Sequence, residues 1–503
     1  MYKVAISTMK PDAIMRKPAF KRLRPKETMA EANAKMPIGN RTSLDSTVSE
    51  PLIYDVYSQA DFLREFDINS HKINSIKYYP DILNEKAGHK ITQKIRSRTA
   101  IGFQQIIFTK RLTALIGNNV SMRLIKSGSS GRRQQDTLAM FREGWEEKNM
   151  EVAMHETLSS DGKTGDCAVC FYLSDRKLGW RTFSYENGDI LYPHFDPMTG
   201  ELALFGRLYS MPDDSGNLTD YLDVYDRTSY MRYRKSKVFG WKVDVEPVLH
   251  GYQECPVAYH RNGNPFWYQS QDLIDSYEVA LSQFCENNAA YALRILYALG
   301  QSMEVKASLD GTPMRIDSPD PNAKIGFLEP ADASNSFVTQ LKTMEKDIMR
   351  ASFVVDTPEI KSGADMSSLT VKMLFADTYL KALEDAQNYQ MFLARTIRLF
   401  KYGYGIETGK VSDMEAFRVK AEFSPFIFMS ETETVNSIVQ LVGSGVLSKQ
   451  TASEIAYESG YGTADEWDRI INEAHEEYMA TQQQAQSLNV VNNARSGGGN
   501  AQS

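Results

Sequence analysis

Asp356-Thr357-Pro358-Glu359-Ile360-Lys361-Ser362-Gly363-Ala364-Asp365 opens the stretch, Phe353 to Gly403, around which the rest of the chain is organised. Pro358 removes a backbone donor and Gly363 permits positive φ, so this opening reads as a loop. From Met366 to Tyr402 there is then neither Pro nor Gly. Leu369, Met373, Ala376, Leu380 and Leu383 recur every three or four residues, and Leu393, Ile397 and Phe400 continue the pattern. The spacing predicts one long helix, capped by Asp365 or Ser367 and stopped by Gly403 and Gly405. Unbroken it would run ~55 Å, and a shift of its apolar face midway predicts a kink. Two readings of loop plus helix stay open. One is a rigid lever with a mobile tip, the other a core helix behind an ordinary surface loop.

Working upstream, residues 333–355 form a second predicted helix. Phe337, Leu341, Met344, Ile348, Ala351 and Val355 alternate steps of four and three, a stripe that needs a long neighbour. Residues 269–299 form a third, with Leu273, Tyr277, Leu281, Phe284, Asn288, Ala292, Ile295 and Leu299 on one face and Gly300 closing it. Between these two, residues 301–331 carry short strand-like runs (303–307 and 324–328) and turns at Pro313, Pro319 and Pro321. Two long helices therefore bracket a small β-rich tip.

Residues 1–50 read as a basic arm, with Lys10, Arg16, Lys17, Lys21, Arg22, Arg24 and Lys26 among Pro11, Pro18 and Pro25. Disorder, or order given by a partner, is expected there, and contact with nucleic acid or a solvated tail both remain open. Helices are predicted over 52–66, 100–117 and 137–158, and a strand over 120–124. Lys126-Ser127-Gly128-Ser129-Ser130-Gly131-Arg132-Arg133 lacks the Gly-Lys-Ser/Thr ending of a phosphate loop and reads as a turn. Residues 160–260 are strand-rich with hairpin turns, an antiparallel β region. Cys167 and Cys170 form a CxxC inside a strand-like run with no second pair, so buried structural cysteines are expected rather than a redox or zinc site. Downstream, strand character at 417–428 precedes helices at 431–443, from Ser448, and at 464–478. From Thr481 the Gln-, Asn- and Gly-rich composition predicts disorder.

The totals exclude several classes. The chain has 503 residues, 42% hydrophobic and 24% charged, enough for two to four folded domains. A net charge of −7 argues against a general basic nucleic-acid binder. Four cysteines make no disulfide framework and suit a reducing setting. There is no apolar run of membrane-spanning length, and the N-terminus shows no apolar signal core, so neither membrane insertion nor secretion is expected. No HExxH, Walker loop, dinucleotide fingerprint or nucleophile elbow occurs, the seven histidines are scattered, and no catalytic, cofactor or metal residue is expected.

The order of parts carries a resemblance. Glu254-Cys255-Pro256-Val257-Ala258-Tyr259-His260 with Asn262-Gly263-Asn264, then Asp272-Leu273-Ile274-Asp275-Ser276-Tyr277, lead into the first long helix. Thr357-Pro358-Glu359, Ser362-Gly363-Ala364 and Leu369-Thr370-Val371-Lys372 lead into the longest one. Gly445-Val446-Leu447-Ser448-Lys449-Gln450-Thr451-Ala452, with Glu466 and Ile470-Ile471, follows it. Over about residues 70–480 the chain resembles the portal proteins of tailed double-stranded DNA bacteriophages, the roughly 500-residue kind of long-tailed phages. Ser362 to Ser368 matches the family's Ser-Gly loop pattern only loosely.

The resemblance implies an α+β, predominantly helical fold with a mixed wing, a helical stem, a β-containing clip, a long kinked helix and a helical crown. Its parts would be 1–50 flexible arm, 51–265 wing, 266–300 first stem helix, 301–331 clip, 332–355 second stem helix and 356–368 tunnel loop. The long kinked helix and its return to the wing would cover 369–430, the crown 431–480 and a disordered tail 481–503. It implies a ring, typically of twelve copies, at the capsid portal vertex of the virion, assembled in the host cytoplasm, through which double-stranded DNA is packaged and ejected. Implied partners are the terminase large subunit, head-completion or adaptor proteins, and the major capsid and scaffold proteins, with no membrane and no cofactor. Glu359, Lys361, Ser362, Gly363, Asp365, Ser367 and Ser368 would line the DNA channel. Asp310, Arg315, Asp317, Asp320 and Lys324 would dock the motor or adaptor, and Tyr277, Leu281, Phe284, Leu341, Met344 and Ile348 would pack the oligomer. Two other classes stay open: a different structural or adaptor protein of mixed helical and β fold, and a hydrolase or nuclease with a spatially assembled site.

Overall fold

The N-terminal segment is part of the fold. In the computed structural model, helix α1 (Pro11–Ile14) buries Ile14, and strand β1 (Leu23–Pro25) pairs antiparallel with β2 (Tyr54–Val56). The structure describes residues 10–16, 23–25, 54–86, 89–125, 131–212, 216–236, 238–291, 295–299, 304–305, 316–317, 324–328, 334–355, 373–425, 431–458 and 466–496. The flexible arm expected over 1–50 is thus corrected at 10–16 and 23–25. The helix expected over 52–66 is α2 (Gln59–Phe66) alone. A box of Ser58 and Asp61 opens it, with the Ser58 N–H donating to Asp61 Oδ2 at 2.9 Å.

A hairpin of β3 (Ile82–Lys86) and β4 (His89–Lys94) leads to helix α3 (Phe103–Ile116) and strand β5 (Ser121–Leu124). The helix expected over 137–158 is two, α4 (Gly131–Glu147) and α5 (Met150–Thr164). Asn149, at φ 52, breaks them, a left-handed position that Asn tolerates. The β region forms two sheets. One is three-stranded, with β6 (Cys167–Ser174) between β7 (Lys177–Phe183) and β13 (Val257–His260). The other is a five-stranded meander of β8 (Ile190–Phe195), β9 (Leu202–Pro212), β10 (Leu218–Tyr225), β11 (Ser229–Ser236) and β12 (Gly240–Leu249). Cys167 and Cys170 are buried on β6 and unbridged, and burial pushes both thiols up, away from the reactive thiolate.

Helix α6 (Gln271–Tyr291) is shorter than expected, because the residues expected to end it form strand β14 (Ile295–Leu299). Short strands β15 (Glu304–Val305) and β16 (Ile316–Asp317) pair with each other, and β14 pairs with β17 (Lys324–Leu328) before helix α7 (Ser334–Ala351). The longest helix, α8 (Ala376–Thr408), runs without interruption past Gly403 and Gly405. Those glycines allow close approach inside it. A Cβ on Gly403 would stand 2.6 Å from Leu178 Cδ1, and one on Gly405 3.1 Å from Val411 Cα. The helix ends instead at Gly409, φ 70. Its described start is set off by a turn at Phe375.

Short helix α9 (Val411–Ala416) and strand β18 (Val419–Glu422) follow, β18 closing on β5 in antiparallel register. Helices α10 (Glu431–Gly443) and α11 (Lys449–Glu458) come next, and Ser448 Oγ caps α11 by accepting the Thr451 N–H at 3.1 Å. Helix α12 (Glu466–Ser496) overturns the disorder expected from Thr481 as far as Ser496.

The core is built on α8. Tyr389, Phe392, Leu393, Ile397 and Phe400 are buried in one cluster with side chains of α3, α4, α5 and β6. Phe400 takes edge contacts from Phe141, Trp145 and Phe171. The apolar residues read as this helix's first core face point outward instead: Met373 is 72% exposed and Leu380 62%. Helix outweighs strand, 53% against 21%, which makes the fold mixed α/β with helix predominant.

Candidate functional site

The feature that organises the surface is one antiparallel hairpin. Ser352 Oγ donates to Ser270 Oγ at 2.9 Å, the Phe284 and Phe337 rings stand 5.7 Å apart, Ile295 pairs with Leu328, and Glu304 with Asp317. These partners step steadily away from one another in sequence, so α6 and α7 run antiparallel and continue into the paired strands. Burial fades along it. Ile274, Tyr277 and Ile348 are buried, Leu281, Phe284 and Met344 half-buried, and Asn288, Asn335 and Ser336 exposed. The helical part, at about 1.5 Å per residue, carries the strands roughly 30 Å from its base.

Polar side chains clamp that base. His71 Nδ1 lies 2.6 Å from Glu278 Oε1, which also accepts the Ile101 N–H at 3.0 Å. Lys72 Nζ reaches Asp275 Oδ2 at 2.5 Å, and Gln104 Nε2 donates to Gln271 Oε1 at 3.1 Å. Arg111 ties the Phe266 carbonyl at 2.7 Å to Asp385 at 2.5 Å, linking the hairpin's entry to α8. Buried ionic groups need such partners, and losing one strands the other. No motif signals this network, because its members lie more than a hundred residues apart.

Burial opposes a charge on His71, but the Glu278 hydrogen bond and carboxylate outweigh it and hold the imidazole above its ordinary value. A raised folded pKa contributes stability that is full below the unfolded value near 6.5 and is lost as pH climbs through the folded one. His71→Gln is therefore expected to destabilise the chain by about 2 kcal/mol at pH 6 and by less at pH 9. Melting curves at both pH values check this, and an equal loss at both would remove the charge from the account.

Of the residues expected to pack the oligomer, Tyr277, Leu341 and Ile348 are buried inside a single copy, Tyr277 edge-on to Phe103 at 5.1 Å. Leu281, Phe284 and Met344 pack beside the same core. The expected seam is thus largely closed within the chain. What α8 leaves open is Leu380, Leu383 and Met391, spaced along one helix face and exposed by 62%, 37% and 85%. Asp317 and Lys324 fall in the strands of the hairpin's outer part, while Asp310, Arg315 and Asp320 lie outside the described residues. Glu359, Lys361, Ser362, Gly363, Asp365, Ser367 and Ser368 also lie outside them. Among the described residues no acidic, His or Cys cluster could hold a metal ion, and no helix is long and apolar enough to cross a membrane.

A family model described as phage portal protein, SPP1 Gp6-like, matches residues 63–477. The chain belongs to this family of tailed-phage portal proteins, structural proteins of the head–tail connector. No curated protein matches the chain.

Proposed function

We propose that the chain forms a ring, typically of twelve copies, at one capsid vertex, and that DNA is packaged and ejected through its axial channel. The family match over 63–477 supports the portal role. The observation that carries the finer reading is the hairpin, a clamped helical pair bearing small strand pairs away from the body. In this reading residues 51–265 form the wing, the α6/α7 pair the stem, 301–331 the clip and 431–480 the crown. The clip docks the terminase during packaging and head-completion proteins afterwards, while capsid and scaffold proteins hold the outside. The loop over 356–368 lines the channel. Its Ser362, Ser367 and Ser368 are neutral and Lys361 stands near Glu359 and Asp365 in sequence, so DNA is touched without being held. Lateral contact between copies falls on Leu380, Leu383 and Met391, the apolar face that one copy leaves uncovered.

Glu304 stands opposite Asp317 across the β15/β16 ladder. Like charges placed opposite one another weaken a strand pair, which favours a basic docking face on the partner. Asp317→Lys with Asp320→Lys is expected to leave rings intact and weaken motor binding at least tenfold. Pull-down of the terminase large subunit on purified rings checks this, and unchanged affinity on intact rings would move docking elsewhere.

A further inference from the structure

The outer face of the five-stranded sheet carries a hollow. Leu204, Leu222, Val224, Met231 and Tyr233 form a buried apolar cluster there, flanked by Tyr192, Leu208 and Trp241. Alternation places these on the face opposite Phe205, which packs with the three-stranded sheet's cluster. The side chains that join this cluster from outside the sheet, among the described residues, are Ile14 and Met15. Ile14 is 1% exposed. It sits over Gly206, where an added Cβ would stand 2.8 Å from Ile14 Cγ2. His194 Nε2 lies 2.7 Å from the Ile14 carbonyl oxygen and fixes the segment's backbone. Leaving that face bare would expose a contiguous apolar patch, so it needs its cover.

The cover is small and long-tethered. It amounts to one helical turn, one deeply buried side chain and one backbone contact, followed by β1 on β2. Residues 26–53 join β1 to β2, and a chain of that length reaches at most roughly 95 Å. The same contacts form whichever copy supplies the segment, so tether length and the closeness of copies decide its source. We infer that the hollow is an exchangeable peptide site and that in the assembled protein it is filled by residues 10–16 of a second copy. The inference rests on the ring reading only in requiring adjacent copies.

The test uses two single-cysteine full-length chains, Ile14→Cys and Gly206→Cys, each with Cys285→Ser, coexpressed and oxidised. A Cβ at position 206 would lie one bond beyond contact with the Cβ at position 14, within the separation a disulfide bridges. Coexpressed chains are expected to give a reducible species of twice the chain mass, with most chains linked. The chain carrying both cysteines reports seating within one copy. Cross-linking in that chain without any between the coexpressed chains, on preparations that form rings, overturns the exchange and leaves the ring reading standing. Absence of rings in the uncross-linked parent would count against the ring reading instead. Because Gly206→Cys could itself disturb the sheet, a second measurement uses full-length Ile14→Asp, whose own segment cannot seat. A labelled peptide of residues 8–18 is expected to bind it saturably, and at least tenfold more weakly once Gly206→Val is added. Absence of saturable binding overturns the peptide site.

Discussion

Ile348→Asp is expected to abolish ring assembly by unfolding the hairpin's base. Ile348 is fully buried, in one cluster with Tyr277, Ala280 and Leu341 and the α8 side chains Leu393 and Phe400. Removing a buried aliphatic side chain costs about 2–5 kcal/mol, and placing a carboxylate there adds the penalty of an unpaired polar group. Against a net stability of about 5–15 kcal/mol for a domain, this removes much of the margin. The melting temperature should fall by roughly 10 °C or more, with material lost to aggregation. Leu380→Asp provides the contrast, since that side chain is 62% exposed in one copy. Its melting temperature should stay within about 2 °C of the parent while sedimentation shows the loss of rings. Rings from Ile348→Asp, or unaltered assembly from Leu380→Asp, would contradict the division between a closed inner seam and an open outer face.

Deleting Lys361 to Asp365 is expected to spare the ring and to cut DNA-filled capsids by at least tenfold when the variant complements a portal-defective phage. The packing that holds the hairpin to the body runs through Tyr277, Leu341, His71, Glu278 and Arg111, none of which the deletion touches. Lys361→Glu should act more mildly, because it changes one charge per copy and leaves the loop's length intact. Counting filled heads by electron microscopy, with DNA retention measured after purification, separates entry from holding. Normal filling and retention without the loop would remove it from the channel.

The long helices were legible because their apolar residues recur at helical spacing and are flanked by recognisable caps. Leu341 and Ile348 were read as seam residues and are buried, and Ser448 was read as a cap and accepts the Thr451 N–H. What the spacing could not say is which partner the seam faces. The answer, the chain itself, depends on contacts between α7 and distant elements such as α3. Ile295-Leu296-Tyr297-Ala298-Leu299 continues a helical period and also suits a strand, and pairing with β17 decided for the strand. Gly403 and Gly405 were read as helix stops, yet Leu178 and Val411 crowd them and α8 continues. Thr481 to Ser496 was read as disordered from its Gln- and Asn-rich composition, although Gln, Ala and Leu favour helix. The pairing of His71 with Glu278 spans 207 positions and left no local trace.

The central claim, that copies of this chain close into a ring around a channel, is tested most directly by electron microscopy of the purified particles viewed down their axis. Rotationally symmetric rings, typically of twelve copies of the 56.9 kDa chain, around an open centre are the expected result. Particles that stay at the mass of one or two chains at every concentration, with no central opening, would contradict it.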